Sequence, residues 1–305
     1  MTGAAPFQRV ALIGLGLIGS SIARAVREAM PAVELRGYDA SADVRNRAAA
    51  LSLVDAVADE PAAAVVDADL VILCVPVGAM ADAARAIAPR LKPNAIVSDV
   101  GSAKAPVADA LRTELPDAIL IPAHPIAGTE NSGPEAGFAA LFRNRWCILT
   151  PGPEVDAADA ARLAAFWSAL GARVEVMDAA RHDLVLAVTS HLPHLIAYTI
   201  VGTASHLEAV TEGEVIKYSA GGFRDFTRIA ASNPTMWRDI FLSNRDAVLD
   251  VLGRFLGDLG ELEQAIRAGD GETLFDWFSR TRAIRRAIVY EGQDTAAADF
   301  GRASG

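Results

Sequence analysis

A histidine in the stretch His124-Pro-Ile-Ala-Gly-Thr-Glu130 lies well downstream of a glycine-rich turn, Gly14-Leu-Gly16-Leu-Ile-Gly19. Glycines at this spacing allow a tight turn, close approach of the backbone to a pyrophosphate, and close packing of a helix on a strand. A hydride cannot leave an alcohol carbon unless something accepts the hydroxyl proton, and neutral imidazole does that well near neutral pH. Turn and histidine together point to oxidation of an alcohol by a nicotinamide cofactor.

Asp39, twenty residues past Gly19, ends the next strand-like segment. It is placed to accept hydrogen bonds from the adenosine ribose hydroxyls and would repel a 2′-phosphate. Ala40 and Ser41, which follow, offer no arginine for such a phosphate. NAD is therefore expected as cofactor, with NADP less favoured. Gly14, Gly16, Leu17, Ile18 and Gly19 would line the pyrophosphate, and Val75-Pro76 the passage toward the nicotinamide.

Asp99-Val-Gly-Ser102-Ala-Lys104 follows a fourth strand at the same sheet edge. Ser102 is placed to donate to a substrate hydroxyl or to His124, or else to cap the helix that follows. Lys104 reads either as a site group or as an ordinary surface lysine. His191 and His194 share a helical face around Pro193, which should kink that helix. No third ligand stands at a suitable spacing, so no metal site is expected. Gly221-Gly-Phe-Arg224-Asp225-Phe-Thr-Arg228 concentrates charge in an apolar region, as a structural salt bridge or as a guanidinium fork for a carboxylate. Trp237 reads as core or interface.

The elements that must position these groups follow from periodicity. Unbroken or alternating apolar runs predict strands at Val10–Ile13, Glu34–Tyr38, Leu70–Val75, Ala95–Ser98, Ala118–Pro122, Trp146–Leu149 and Arg173–Met177. Helices are expected between them at Leu17–Met30, Ala42–Leu51, Met80–Leu91, Pro106–Glu114 and Ala157–Leu170. That order predicts an α/β fold, a doubly wound, mostly parallel Rossmann-type sheet over residues 1–178, with the His124 loop after the fifth strand. From 179 to 305 the pattern is helical, with long periods at Ala179–Ala204, Pro234–Ala268 and Glu272–Tyr290 and breaks near Gly213, Gly221-Gly222 and Gly269–Gly271. The last fifteen residues read as frayed.

The chain has 305 residues, 52% of them hydrophobic, which suits two domains with large cores. A net charge of −10 argues against nucleic acid or an anionic membrane as partner. With only Lys92, Lys104 and Lys217 as lysines, arginine must supply most cations for an anionic substrate. Cys74 and Cys147 sit in apolar runs and read as core thiols of a reducing, cytoplasmic setting. Arg9 before Val10–Ile18 mimics a signal peptide, but the glycine spacing and the charges at Arg24, Arg27 and Glu28 favour strand-turn-helix. No apolar run is expected to span a membrane, because Asp67 and Asp69 interrupt the best one.

Six motifs in order now carry a resemblance. They are Gly14–Gly19, Val-Gly-Ser102-x-Lys104, His124-Pro-x-x-Gly128-Thr129-Glu130, Ser190-His191-Leu-Pro-His194, Gly222-Phe-x-Asp225-Phe-Thr-Arg228-Ile-Ala and Met236-Trp237-Arg238-Asp239. With them the chain resembles the prephenate/arogenate (cyclohexadienyl) dehydrogenase family of tyrosine biosynthesis. The resemblance implies NAD-dependent oxidative decarboxylation of prephenate to 4-hydroxyphenylpyruvate, or of arogenate to tyrosine, without deciding between them. It implies that His124 accepts the ring hydroxyl proton, that Ser102 bonds that hydroxyl or orients His124, and that Arg228 pairs with a substrate carboxylate. His191 and His194 would line the pocket with Gly221. Thr129, Glu130, Arg224 and Asp225 would support or gate it. A homodimer through the helical domain is implied, with Trp237 reaching the partner's site. The chain ends soon after its last helix, so neither an appended regulatory domain nor a fused chorismate mutase is expected. Arg224 departs from the lysine of some relatives. Two other readings stand beside this one. A 3-hydroxyacid dehydrogenase would use a lysine base, for which Lys217 is the only residue in the helical region. An NAD-binding sensor would use the turn without chemistry.

Overall fold

Strand segments with no polar alternation need cover on both faces, and the computed structural model supplies it. It describes residues 5–129, 131–208 and 221–290. Six parallel strands stand in the order β3-β2-β1-β4-β5-β6. They are β1 (Arg9–Ile13), β2 (Glu34–Tyr38), β3 (Ala56–Val57), β4 (Leu70–Leu73), β5 (Ile96–Asp99) and β6 (Ile119–Leu120). Val10 and Leu12 face one core with Leu35, Leu70 and Ile72, while Ala11 and Ile13 face the other with Val71, Leu73 and Val97. The first core takes residues of α1 (Leu17–Ala29) and α6 (Ala157–Ala169), including Phe166 and Trp167. The second takes those of α4 (Met80–Ile87) and α5 (Ala105–Glu114). Truncating one such buried leucine or isoleucine to alanine costs about 2–5 kcal/mol. Strand order reverses between β1 and β4, the place where this architecture opens its ligand crevice.

The sheet is not continuous to residue 177. The expected strand Ala118–Pro122 is short, and the chain turns at Ile121-Pro122 into a second, three-stranded sheet, β7 (Ala123–Pro125), β8 (Trp146–Leu149) and β9 (Arg173–Val176). β7 and β8 run antiparallel, with His124 opposite Ile148. His124 therefore sits within a strand and not on the loop after one. Period-two patterning locates strands but does not say which sheet they join.

The helical region begins at α7 (Ala179–Leu186), passes through one π turn at Ala187–His191, and continues as α8 (Leu192–Glu208). The proline kink expected at Pro193 takes this form: its missing N–H frees a carbonyl in the preceding turn, and the wider π spacing absorbs it. One expectation is corrected here. Ala179–Leu207 is long and apolar enough by length and composition to cross a membrane, with a mean hydropathy of 1.6. Its Asp183 accepts from the backbone amides of Lys104 and Ala105 at the start of α5, so the first turns of the stretch pack against the sheet layer. Helices α9 (Gly221–Thr227), α10 (Pro234–Ser243), α11 (Arg245–Ala268) and α12 (Gly271–Tyr290) follow. The expected single period Pro234–Ala268 is broken at Asn244, whose side chain is drawn into the buried network described below.

Two compact units divide the chain, Met1–Val248 and Leu249–Gly305. In the second, Gly269 at φ +66° makes the corner between α11 and α12. Asp270 then closes the first turn of α12 by accepting from the amide and hydroxyl of Thr273. Glu130, Lys217 and the break expected at Gly213 lie outside the described residues.

Candidate active site

Each glycine of the turn between β1 and α1 has a distinct physical reason. Gly14 holds φ +103°, and a Cβ there would stand 2.5 Å from the carbonyl oxygen of Cys74. A Cβ on Gly19 would collide with the carbonyl of Gly14. Above Gly16 nothing stands within 4 Å, so a ligand can approach the backbone there. Helix α1 starts at Gly16 with no side-chain cap and no acidic residue in its first turn. Its first amides are left for an anion, and the helix dipole favours one. Leu17 and Ile18 supply that first turn. These features fit the pyrophosphate of a dinucleotide.

Asp39, at the end of β2, does more than face a ribose. Its Oδ2 accepts from the Leu15 amide at 2.9 Å and its Oδ1 from the Ser41 amide at 2.9 Å, which fixes the carboxylate beside the turn. Each oxygen keeps a lone pair for a ribose hydroxyl. Arg45 was missed by reading only the residues next to Asp39. One helical turn along α2 (Ala42–Ala50), its guanidinium donates to the Asp39 carbonyl at 2.8 Å and stands 5.5 Å from the Tyr38 ring centroid. Val75 and Pro76 follow β4, where Val75 lies against Gly14.

From the turn, the carboxyl edge of the sheet leads to His124. Leu73 pairs with Asp99, and Asp99 Oδ1 accepts from the Ala123 amide at 3.2 Å. At the usual spacing of about 4.8 Å between strands, β5 is about 10 Å from β1 along this edge. Lys104 is not the surface lysine one reading allowed. It is fully buried, paired with Asp99, and donates from Nζ to the Ala123 carbonyl at 2.8 Å. The pair pins the residue before His124 from both sides. Burial lowers the Lys104 pKa, and the carboxylate of Asp99 opposes that shift.

The His124 ring is buried, and its Nδ1 lies 2.9 Å from His182 Nε2. His182 Nδ1 lies 2.8 Å from Asp183 Oδ1. Asp183 also accepts from the amides of Lys104 at 2.7 Å and Ala105 at 2.9 Å, so it performs the capping of α5 that was one reading of Ser102. Ser102 bonds neither His124 nor a helix amide among the described residues. It sits half-buried on the loop between Asp99 and Lys104. No reading of the sequence reached His182 or Asp183. They carry no motif spacing relative to His124, and only their contiguity with an apolar helix that needs a polar partner could have drawn notice. Desolvation, then the neighbouring His182, Lys104 and His191, push the His124 pKa well below the ordinary histidine value. At neutral pH it is an uncharged base. Among the described residues its Nε2 has no protein partner, and it is not sealed from solvent.

A second cluster comes from α8 and α10. Asn244 Nδ2 donates to the Asp183 carbonyl at 2.8 Å and to His191 Nδ1 at 3.1 Å. The hydrogen of neutral His191 is thereby assigned to Nε2, a buried donor with no partner among the described residues. Trp237 Nε1 is a second such donor. Trp237 is 6% exposed in the single chain and stacks on His194 at 3.6 Å between ring centroids. His194 Nδ1 donates to the Ser190 carbonyl at 2.9 Å. Burial lowers the pKa values of both His191, to about 4, and His194, to whose shift Arg228 also contributes. Arg228 and Arg224 are exposed and have no ion pair among the described residues. The structural salt bridge is thus not formed by these arginines, and Arg228 is a cation at the edge of the histidine cluster. Gly221 and Asp225 are exposed on α9. Thr129 is exposed and accepts from the Asn131 amide at 3.3 Å. No cluster of three metal-ligating side chains occurs among the described residues.

One edge therefore holds a dinucleotide cradle, a neutral base and, beyond it, unpaired donors and cations. Comparison with known proteins says which enzymes share the plan. Residues 22–176 match the prephenate dehydrogenase nucleotide-binding domain and residues 178–280 the prephenate dehydrogenase dimerization domain. The chain belongs to the prephenate dehydrogenase family. It is 49% identical to the cyclohexadienyl dehydrogenase of Zymomonas mobilis, over 92% of this chain and 96% of that one. It is 34% identical to the prephenate dehydrogenase of Bacillus subtilis, over 92% and 76%. Among solved structures, prephenate dehydrogenase from Aquifex aeolicus in complex with hydroxyphenyl propionate and NAD+ superposes with a TM-score of 0.86 at 33% identity, covering 92% of this chain and 98% of that one. Synechocystis arogenate dehydrogenase superposes at 0.80 with 26% identity, covering 92% and 100%. Membership accounts for the order of the six motifs.

Proposed function

We propose that this prephenate dehydrogenase family member oxidises a cyclohexadienol and releases carbon dioxide from it, with His124 as the proton acceptor. The reaction is the NAD-dependent oxidative decarboxylation of prephenate or arogenate. When bound, NAD supplies the acceptor for the hydride that leaves ring C4. His124 Nε2 takes the proton from the C4 hydroxyl, the C–O bond becomes a ketone, and the bond from C1 to the carboxylate breaks. Its electron pair enters the ring, which becomes aromatic as the ketone oxygen becomes a phenolate and takes a proton back. The chain need not drive so favourable a step. Its work is proton acceptance, typically worth ~10²–10⁴-fold, and positioning. Arg228 pairs with a substrate carboxylate, and the His191 Nε2–H and Trp237 Nε1–H, buried without partners, await substrate oxygen atoms. Ser102 donates to the substrate hydroxyl, being free of other bonds. Thr129, Gly221, Arg224 and Asp225 border the pocket.

The observation that carries this reading is His124 itself: buried, neutral, with Nδ1 engaged and Nε2 open, on the edge that begins at Gly14–Gly19. One absorbance assay for NADH tests it, with prephenate, arogenate and either NAD or NADP. We expect turnover of both ring substrates with NAD, given a 49% identical relative named for cyclohexadienyl substrates. NAD binding without turnover of either would leave a sensor, and turnover of 3-hydroxyacids would overturn the reading.

We place the functional boundary at residue 178, between nucleotide-binding and helical parts. We further propose a homodimer through the helical part. Leu249, Leu256, Leu259 and Ile266 recur on one side of α11 and are 49–65% exposed in the single chain, as is Phe275 at 70% on α12. Apolar stripes of this kind require cover. The free thiols Cys74 and Cys147 fit a reducing compartment, and we assign the protein to the cytoplasm.

A further inference from the structure

Neutral imidazole has two tautomers, and only one of them puts a lone pair on the nitrogen that faces a substrate. In water the ring favours the hydrogen on Nε2, the wrong one for a base acting from Nε2. Something must hold it on Nδ1, and in other proteins the hydrogen bond at the second nitrogen decides this. Here a chain of obligatory donors and acceptors leads to His124. It starts at the amides of Lys104 and Ala105, which can only donate. Both donate to Asp183, whose carboxylate sits at the positive end of α5 and is acceptor-only. His182 Nδ1, 2.8 Å from the same carboxylate, must then carry the hydrogen. The Nε2 of neutral His182 is consequently bare and can only accept, and the group 2.9 Å from it is His124 Nδ1.

We infer that His182, oriented by Asp183, is the positioning residue that holds His124 in its Nδ1–H tautomer and so presents a bare Nε2 to the substrate. The inference deepens the proposed role of His124 and rests on it. His182 is fully buried and packs edge-on against His124 at 5.1 Å between ring centroids, so neither ring can turn without breaking the chain. When Nε2 takes the substrate proton, the resulting imidazolium keeps its Nδ1–H on His182. The titratable groups that face the pair are Asp183 from α7, Asp99 at the end of β5, Lys104 at the start of α5, and the neutral ring of His191 beyond. Asn244 strengthens the arrangement from the other side, since it donates to the Asp183 carbonyl and thereby fixes the backbone that carries both residues.

The test combines nitrogen-15 NMR of histidine side chains in the full-length protein with two substitutions. At neutral pH, the signals that vanish in His124→Asn should report hydrogen on Nδ1 and a bare Nε2. His182→Leu removes the acceptor. It should move the hydrogen of His124 to Nε2 and lower kcat on the order of 10²–10⁴-fold, the range for losing a general base, with the KM for NAD unchanged. His182→Gln keeps an acceptor oxygen near the place of Nε2 and an amide for Asp183. It should hold kcat within about tenfold of wild type, well short of that loss. A wild-type spectrum with hydrogen on His124 Nε2 would overturn the inference. So would His182→Leu at wild-type kcat, or His182→Gln as slow as His182→Leu. If His182→Leu does not fold, the wild-type spectrum and His182→Gln still decide. If His124→Asn keeps full turnover, the base assignment fails, while the spectrum separately tells whether His182 sets the tautomer.

Discussion

Two buried polar regions, linked through Asn244, are built oppositely. Around His124 the inward-facing groups are matched: Lys104 with Asp99 and the Ala123 carbonyl, Asp183 with two amides and His182, His182 with His124. Around Trp237 donors are left over: among the described residues His191 Nε2 and Trp237 Nε1 are buried without a partner, and Arg228 has no ion pair. A buried donor without a partner costs about 1–3 kcal/mol. This cluster leaves two such donors together, a cost that the oxygen atoms of a ligand would offset. On the function proposed above, the matched region positions and reacts, and the unmatched one binds. Substitutions in the first should therefore change kcat and stability, and those in the second should change substrate KM.

The largest effect that would break this contrast is at His124. His124→Asn should cut kcat ~10²–10⁴-fold with NAD binding intact, read from steady-state rates and a cofactor titration. Next is Lys104→Met. It strands the Asp99 carboxylate in a dry site, and loss of one partner of a buried pair costs about 3–5 kcal/mol. Chemical denaturation should show this, and the double variant with Asp99→Leu should recover part of it. Arg228→Ala should raise the KM for the ring substrate by about 10–100-fold, since a charge-assisted bond contributes about 1.5–3 kcal/mol. Its stability and its NAD affinity should not move. A Tm loss at Arg228, or a KM effect at Lys104 without one on stability, would dissolve the distinction.

Acid sharpens the same comparison. His124, His182 and His191 all have folded pKa values below the ordinary 6.5, His191 at about 4. As pH falls through that interval the unfolded chain takes up protons that the folded chain refuses. Stability is thus complete above 6.5 and declines as pH drops toward 4. A Tm series over this window checks it, and the acid limb of kcat/KM should lie below 6.5 as well. The smallest effect belongs to the solvated face. Arg254 pairs with Asp250 one turn away, both largely exposed, so Arg254→Ala should change stability by less than about 0.5 kcal/mol.

Local pattern made half of the site legible. The glycines of the turn, Asp39, and the alternation of β1 could be read in order, because each role is settled within a few residues by backbone conformation or by cover on two faces. The short contact network could not. His182 and Asp183 lie 58 and 59 positions from His124, at the polar start of a long and otherwise mostly apolar helical stretch. Nothing in their spacing distinguishes them from residues that merely face solvent. Lys104 could be read either way for the same reason: burial of a charge depends on whether a carboxylate arrives from another strand. Arg45 was overlooked because helical geometry returns it to Asp39 six residues later. The second sheet was overlooked because a two-residue turn at Ile121-Pro122 leaves the strand pattern intact while redirecting the chain.

The order of motifs, carried by the residues alone, determined the family, the cofactor turn and the identity of the candidate base. Those are properties of chain-local chemistry. Only the tertiary structure decided which nitrogen of His124 is bare, why Lys104 is dry, and which donors wait unpaired. A proton's place on an imidazole is set by whatever stands 3 Å away, and in a folded chain that neighbour comes from anywhere along it.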